Sequence, residues 1–197
     1  AVDAYFELAC QYREALKWTT CYSNQREAIM RQLLASPWTH PGFADSGAHL
    51  RSIAQYNFPL RFLKYVRDAE LAGEPFMPLA QAVRRCSAEL ADFIGVDAGY
   101  LRVGDRADLV LINPQGLDDS LDALHEAPME VLGLQRVVKR NDAAVELTLI
   151  NGRIAYRRGL EYPQDLGTAR HYGRFLPGRE VLPRTSPAHD LQPATAS

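Results

Sequence analysis

Cysteine is scarce in this chain. Cys10, Cys21 and Cys86 are three in number, far apart, and never in a CxxC arrangement. An odd and scattered set builds no disulfide framework, so reduced thiols in a cytoplasmic protein are expected. Neither sign of charge is in excess. Lys and Arg number 22 against 24 Asp and Glu, a formal net charge of −2, and nothing draws such a chain to nucleic acid or to an anionic membrane surface. Arg84-Arg85 and Arg157-Arg158 are pairs within a scatter of arginines, not a basic patch. No apolar run approaches the roughly 20 residues that span a bilayer, and no internal repeat is visible. The opening Ala1-Val2-Asp3 lacks Met and signal-like regions and starts inside a helical pattern, so a chain trimmed from a longer one is expected.

What is present is an ordinary globular composition, 47% hydrophobic and 23% charged over 197 residues, enough for one good core or two small ones. Phe6, Leu8, Ala9, Tyr12 and Leu16 recur at helical spacing and predict a helix over residues 3–16, with Asp3 as N-cap. Residues 16–22 turn β-branched and aromatic and predict a strand. Asn24 with Glu27 three positions on has the form of a capping box, opening a helix with Ile29, Met30, Leu33 and Leu34 on one face that ends before Pro37. A second strand is expected over 39–44, stopping at Asp45. Helix, strand, helix, strand is the order of parallel βα units.

Pro59 fits the first turn of a helix running to Leu71, broken by Gly73-Glu74-Pro75. Residues 78–94 are helical in pattern, with Ser87 able to cap a second short helix and Gly95 a stop signal. At Gly99 the character changes. Two extended runs flank Gly104-Asp105, and the second, residues 107–112, is apolar enough to be buried on both faces. Residues 114–132 are loop-rich and acidic. Asn151-Gly152 between two extended runs (145–150 and 153–158) is a hairpin signal, because a type I′ turn needs positive φ at both central positions. Beyond Gly159 periodicity is lost, and from Pro177 a Pro-, Ser-, Thr- and Ala-rich tail is expected to be extended or disordered. The expected organisation is therefore α/β: residues 1–95 as αβαβαα, 96–158 as a small β-structure of four to five strands, and 159–197 as a tail. Two strands in the first part cannot close a barrel, which needs about eight.

Several of these segments together are similar to the C-terminal third of the amidohydrolase superfamily, in its N-acyl-D-amino-acid deacylase (D-aminoacylase-like) branch, over nearly the whole chain to about residue 176. Leu16-Lys17-Trp18-Thr19-Thr20 resembles the seventh barrel strand. His40-Pro41-Gly42-Phe43-Ala44-Asp45-Ser46-Gly47-Ala48-His49 resembles the eighth strand and its catalytic Asp. Val103-Gly104-Asp105-Arg106-Ala107-Asp108-Leu109-Val110-Leu111 resembles the GxxADLVL segment where the chain leaves the barrel for the β-sandwich, and Ile150-Asn151-Gly152-Arg153-Ile154 resembles the NGxxV hairpin. The resemblance implies the last two βα units of a TIM-like barrel, left incomplete, followed by a β-sandwich portion. It implies hydrolysis of a small amide, an N-acyl-D-amino acid or a relative, by a metal-bound water, usually on zinc. Asp45 would be general base toward that water and a ligand of the same metal. A metal lowers the pKa of its water from about 15.7 to about 7, and a well-placed base contributes on the order of 10²–10⁴-fold.

The five histidines, His40, His49, His125, His171 and His189, form no His-x-His pair, whereas the family holds its metal by such a pair on the first strand and by ligands from the middle strands. One Asp and one nearby His fall short of the three protein ligands of a catalytic zinc. The resemblance therefore implies the C-terminal portion of a longer enzyme, inactive by itself and without zinc of its own. The other reading is a non-catalytic assembly module that pairs open barrel edges with a complementing chain or with a second copy.

Individual residues carry two readings each. His49 either lines the substrate pocket or is a hydrogen-bonded structural histidine. Ser46 either touches substrate or caps the next helix. Arg51 either meets a substrate carboxylate or is solvated. His40 is expected to be structural, Asp108 to satisfy backbone or Arg donors, and Tyr56, Phe58, Phe62 and Tyr65 to pack.

Overall fold

A computed structural model of the chain describes residues 1–16, 24–42, 44, 51 and 53–178. It is mixed α/β with small antiparallel sheets and no closed barrel among the described residues. Two compact units form, Ala1–Thr39 and His40–Ser197.

In the first unit, α1 (Val2–Tyr12) starts one residue before Asp3, so Asp3 lies in the first turn, where its charge complements the helix dipole, and is not the cap. The helix stops at Arg13, whose φ of 45° leaves the helical region, and a single 3-10 turn (Arg13–Ala15) follows. No residue of α1 is buried within the unit; Phe6 is 61% exposed. The second helix, α2 (Glu27–Ala35), has Arg26 as N-cap with no side-chain cap. The expected capping box does not form: the cap position falls to Arg26, and Asn24 adopts a left-handed φ of 60° in place of the extended backbone of an N-cap. Glu27 instead pairs with Arg31 one turn on, at 2.7 Å. The helix ends before Pro37 as expected, with the Thr39 hydroxyl donating back to the Leu33 carbonyl. The strand expected over 16–22 lies almost wholly outside the described residues. Over 39–44 the described residues are not in a strand.

In the second unit, α3 (Phe58–Leu71) has proline in its first turn and stops ahead of Gly73, as the sequence predicts. Phe62, Leu63, Val66 and Ala69 recur at helical spacing and form its buried face. α4 (Leu79–Arg85) and α5 (Ala88–Ile94) divide at Ser87. Ser87 does not cap α5 with its side chain; its hydroxyl donates back to the Val83 carbonyl at 2.8 Å. Gly95 ends α5 in the left-handed region, φ 76°. Gly99 is required by close approach as well as by its φ of 81°, since a Cβ there would lie 2.6 Å from the Ala88 nitrogen.

Among the described residues, five strands follow in two antiparallel sheets. The first has the order β1 (Leu109–Ile112), β4 (Val145–Ile150), β5 (Arg153–Arg157). Leu109 faces Leu149 and Leu111 faces Leu147, with an irregularity at Ile112. The second is the ribbon β2 (His125–Met129) with β3 (Leu134–Val138) in regular register. Two expectations fail here. The run at 101–103 forms no strand. β1 is not buried on both faces: it is an edge strand, with Val110 55% and Leu111 59% exposed. The Asn151-Gly152 turn is as predicted, with φ 52° and 77°.

Candidate functional site

Asp45, Ser46 and His49 lie outside the described residues. The segment leading to them can be followed through His40, Pro41 and Gly42, and it lies against α5. His40 Nδ1 is 3.1 Å from Glu89 Oε1, and the imidazole sits on the Phe93 ring with centroids 4.5 Å apart. Leu90 comes against Gly42, where a Cβ would be in ordinary contact at 3.6 Å. Arg85 approaches the same Glu89 oxygen, its Nε at 3.5 Å, and its side chain is only 1% exposed. A guanidinium so far from water needs a counter-charge, and Glu89 supplies one. A single carboxylate thus joins the buried Arg85 to the His40 ring. His40 is structural, as expected. Glu89 and Arg85 were not singled out in the sequence, since a four-residue Arg-Glu spacing is common on helices. Arg51, at a turn, is exposed.

A second polar array fixes α3 to the acidic loop. Asn57, only 3% exposed, donates to the Leu121 carbonyl at 2.8 Å and to Asn141 Oδ1 at 3.2 Å. One turn on, Arg61 pairs with Asp122 at 2.7 Å. Lys64 reaches Asp68 at 2.8 Å and Asp119 at 3.0 Å, and Arg67 donates to the Pro114 and Leu117 carbonyls. Partial burial disfavours the Asp68 charge, but hydrogen bonds from Lys64 and Arg67 outweigh it and hold its pKa below the usual value; hydrogen bonds to Asp68 and Asp119 raise that of Lys64. The residues reading as loop-rich and acidic are therefore the counter-surface of α3. The aromatic set packs in part: Phe62 is in the core and Tyr65 meets Phe76 at 5.4 Å, while the half-exposed Tyr56 hydroxyl bonds the backbone at Lys139.

The two motif segments of the β-part meet at one junction. Asp108 accepts from the Asn151 amide at 2.6 Å and lies 2.7 Å from Arg106 Nε. The Gly152 amide donates to the Ala107 carbonyl at 2.8 Å. A carboxylate inside an apolar run is thus explained as a brace between the start of β1 and the β4–β5 turn. A shallow cleft beside it is lined by Asp97, Tyr100, Arg102, Asp105 and Asp108. Within it Arg102 pairs with Asp105 at 3.1 Å and covers the Tyr100 ring at 4.1 Å.

Cys10 is exposed and Cys86 half-buried, neither in a disulfide, and burial pushes the Cys86 thiol up to about 11. Among the described residues no three His, Cys, Asp or Glu side chains group to hold a metal ion, so these residues do not fit a catalytic metal centre by themselves. Among the described residues, no helix is long and apolar enough to cross a membrane.

No family model matches the chain, and no solved structure does. It is similar to uncharacterized proteins of Mycobacterium bovis and of two Mycobacterium tuberculosis strains, each 42% identical over 185 residues. The match takes in 91% of this chain and 30% of each relative, so the chain spans about a third of the length of these curated relatives.

Proposed function

We propose that these residues belong to a metal-dependent amidohydrolase acting on N-acyl-D-amino acids or related small amides, and that they form its C-terminal portion, the end of a TIM-like barrel with part of a β-sandwich. Asp45 is the general base. It takes the proton of the attacking water and returns it to the leaving nitrogen, while His49 and Ser46 border the amide. The reading calls for zinc or another divalent ion, whose ligands have to come from outside the described residues; the isolated chain is inactive.

The observation that carries this reading is the Asp108 junction. Two segments that resemble the family at separate places in the sequence, 103–111 and 150–154, are held together by the Asn151–Asp108 and Gly152–Ala107 hydrogen bonds. Segments that only chanced to look alike have no reason to meet. The length of the relatives adds support, since most of each lies beyond the matched part. The test is turnover of N-acetyl-D-amino acids, with their L-enantiomers as controls, together with metal analysis. The complete-length protein is expected to carry metal and to hydrolyse the D-series, and the 197-residue chain to do neither. Stoichiometric metal and turnover in the short chain would sink the claim that ligands are missing.

The exposed apolar edge strand β1 favours the second reading, an assembly module pairing with another chain. A complete protein without amidase activity whose 197-residue part forms a stable dimer would favour it.

A further inference from the structure

We propose that Asn151 is a site of spontaneous covalent modification, in which its side chain cyclises onto the Gly152 nitrogen, and that the Asp108 junction sets the rate. The chain holds Asn24, Asn57, Asn113, Asn141 and Asn151, and of these Asn151 alone is followed by glycine. The nucleophile in this chemistry is the amide nitrogen of the next residue. A glycine nitrogen is the least shielded, with no side chain beside it. Asn113 is ruled out, because Pro114 carries no N–H. Asn151 and Gly152 are both exposed at the β4–β5 turn, so water reaches the reacting atoms. The change needs no reagent but water. Gly152 N gives its proton to solvent and attacks Asn151 Cγ. The N–Cγ bond forms as the Cγ–Nδ2 bond breaks, and ammonia leaves. Water then opens the cyclic imide at either carbonyl, giving an aspartyl or an isoaspartyl linkage. This chemistry is independent of the reaction proposed above.

In the closed junction the nucleophile is occupied. The Gly152 amide donates to the Ala107 carbonyl at 2.8 Å, which keeps the proton on its nitrogen. The Asn151 amide is tied to Asp108 at 2.6 Å. The Asn151 side-chain nitrogen, the leaving group, lies 3.4 Å from the His171 carbonyl, too long a contact to hold it firmly. Attack therefore waits for a local opening that frees Gly152, and the Asp108 bond limits how often the junction opens. The product keeps the junction open. It places a carboxylate on the residue whose amide Asp108 accepts from, and like charges so placed repel. The isoaspartyl linkage also adds a carbon to the backbone of the turn between paired Ile150 and Arg153, which shifts the Gly152 amide away from its position opposite Ala107.

The experiment incubates the complete-length protein at mildly alkaline pH, native and unfolded in urea, and follows the tryptic peptide of residues 141–153 by mass spectrometry. That peptide carries Asn141 beside Asn151 as an internal control. Fragment masses locate the exchange of amide for acid and separate isoaspartyl from aspartyl product. Asn151 is expected to convert, with isoaspartyl product present, while Asn141 stays intact. Conversion should be slower in the native protein than in urea. Native Asp108→Ala should convert about 10- to 30-fold faster than native wild type, and the two should be equal in urea. Asp108→Asn, expected to be about fivefold faster than wild type, decides the matter if Asp108→Ala does not fold. An intact Asn151 in native Asp108→Ala, over the time in which the unfolded chain converts, overturns the site. A native wild type as fast as the unfolded chain, or equal native rates in wild type and both variants, overturns the control by the junction.

Discussion

Replacing Asp108 by alanine should loosen one turn of the protein and leave its helices untouched. The carboxylate accepts from the Asn151 amide at 2.6 Å, and a hydrogen bond to a charged acceptor contributes about 1.5–3 kcal/mol. Its second oxygen lies 2.7 Å from Arg106 Nε, but the Asp108 side chain is 39% exposed, so screening holds that pair below about 1 kcal/mol. The Gly152–Ala107 hydrogen bond and the β1–β4 ladder remain in the variant. The expected cost is therefore local and about 2 kcal/mol. At about 1.4 kcal/mol per factor of ten, the Asn151 amide should exchange with solvent about 30-fold faster in Asp108→Ala. Asp108→Asn keeps an acceptor oxygen and loses only the charge, so about a fivefold rise is expected, near 1 kcal/mol. Hydrogen exchange read at single residues makes the measurement, with the amides of α3 as internal controls. Unchanged exchange at Asn151 in Asp108→Ala would refute the junction, and an equal rise in α3 would show general destabilisation.

The ion pairs along α3 should weaken at both ends of the pH scale, within the helix at low pH and toward the Asp119 loop as well at high pH. Asp68 has a folded pKa below its ordinary 3.8, so its stabilisation is present above that value and is lost as pH falls through the lower folded pKa; a carboxylate titration with a midpoint at or above 3.8 would contradict this. Lys64 is raised above 10.5, so its contribution is complete below that value and fades as pH rises through the higher folded pKa. Cys86, pushed up to about 11 by burial, should hold on the order of 10⁻³ of its thiol as thiolate at pH 8 and alkylate more than about 100-fold slower than an ordinary cysteine, measured by mass spectrometry. Gly116→Ala should cost about 3 kcal/mol or more, seen as a lowered melting temperature, since its Cβ would fall 1.9 Å from the Ala143 carbonyl oxygen.

What the sequence made legible was set by local rules. Proline in the first turn of α3, the glycines after α3 and α5, and Asn151-Gly152 each fix a backbone angle that few other residues tolerate, and the structure follows them. Where a signal depended on a partner, it was less dependable. Asn24 and Glu27 have the spacing of a capping box, yet Asn24 takes a left-handed angle and Glu27 turns to Arg31. The apolar run at β1 looked doubly buried, but its neighbours cover it only in part. β2 lies inside the stretch read as loop-rich and acidic; its Pro128 cannot donate to a ladder, but in a two-stranded ribbon the residue needs only one bonded side, and proline fits there. Glu89 was hidden for the same reason: its meaning lies in His40, 49 positions away in the sequence. Asp45 was picked out as the carboxylate closing an expected strand and then by resemblance, Ser46 and His49 as its neighbours, and all three lie outside the described residues.

The central claim is that Asp45 is the proton acceptor of an amide hydrolase. Its most direct test is kcat for an N-acetyl-D-amino acid in the complete-length protein carrying Asp45→Asn, with folding checked by melting temperature. The account predicts a loss of about 10²-fold or more in a normally folded protein. A folded Asp45→Asn variant with wild-type kcat would contradict it.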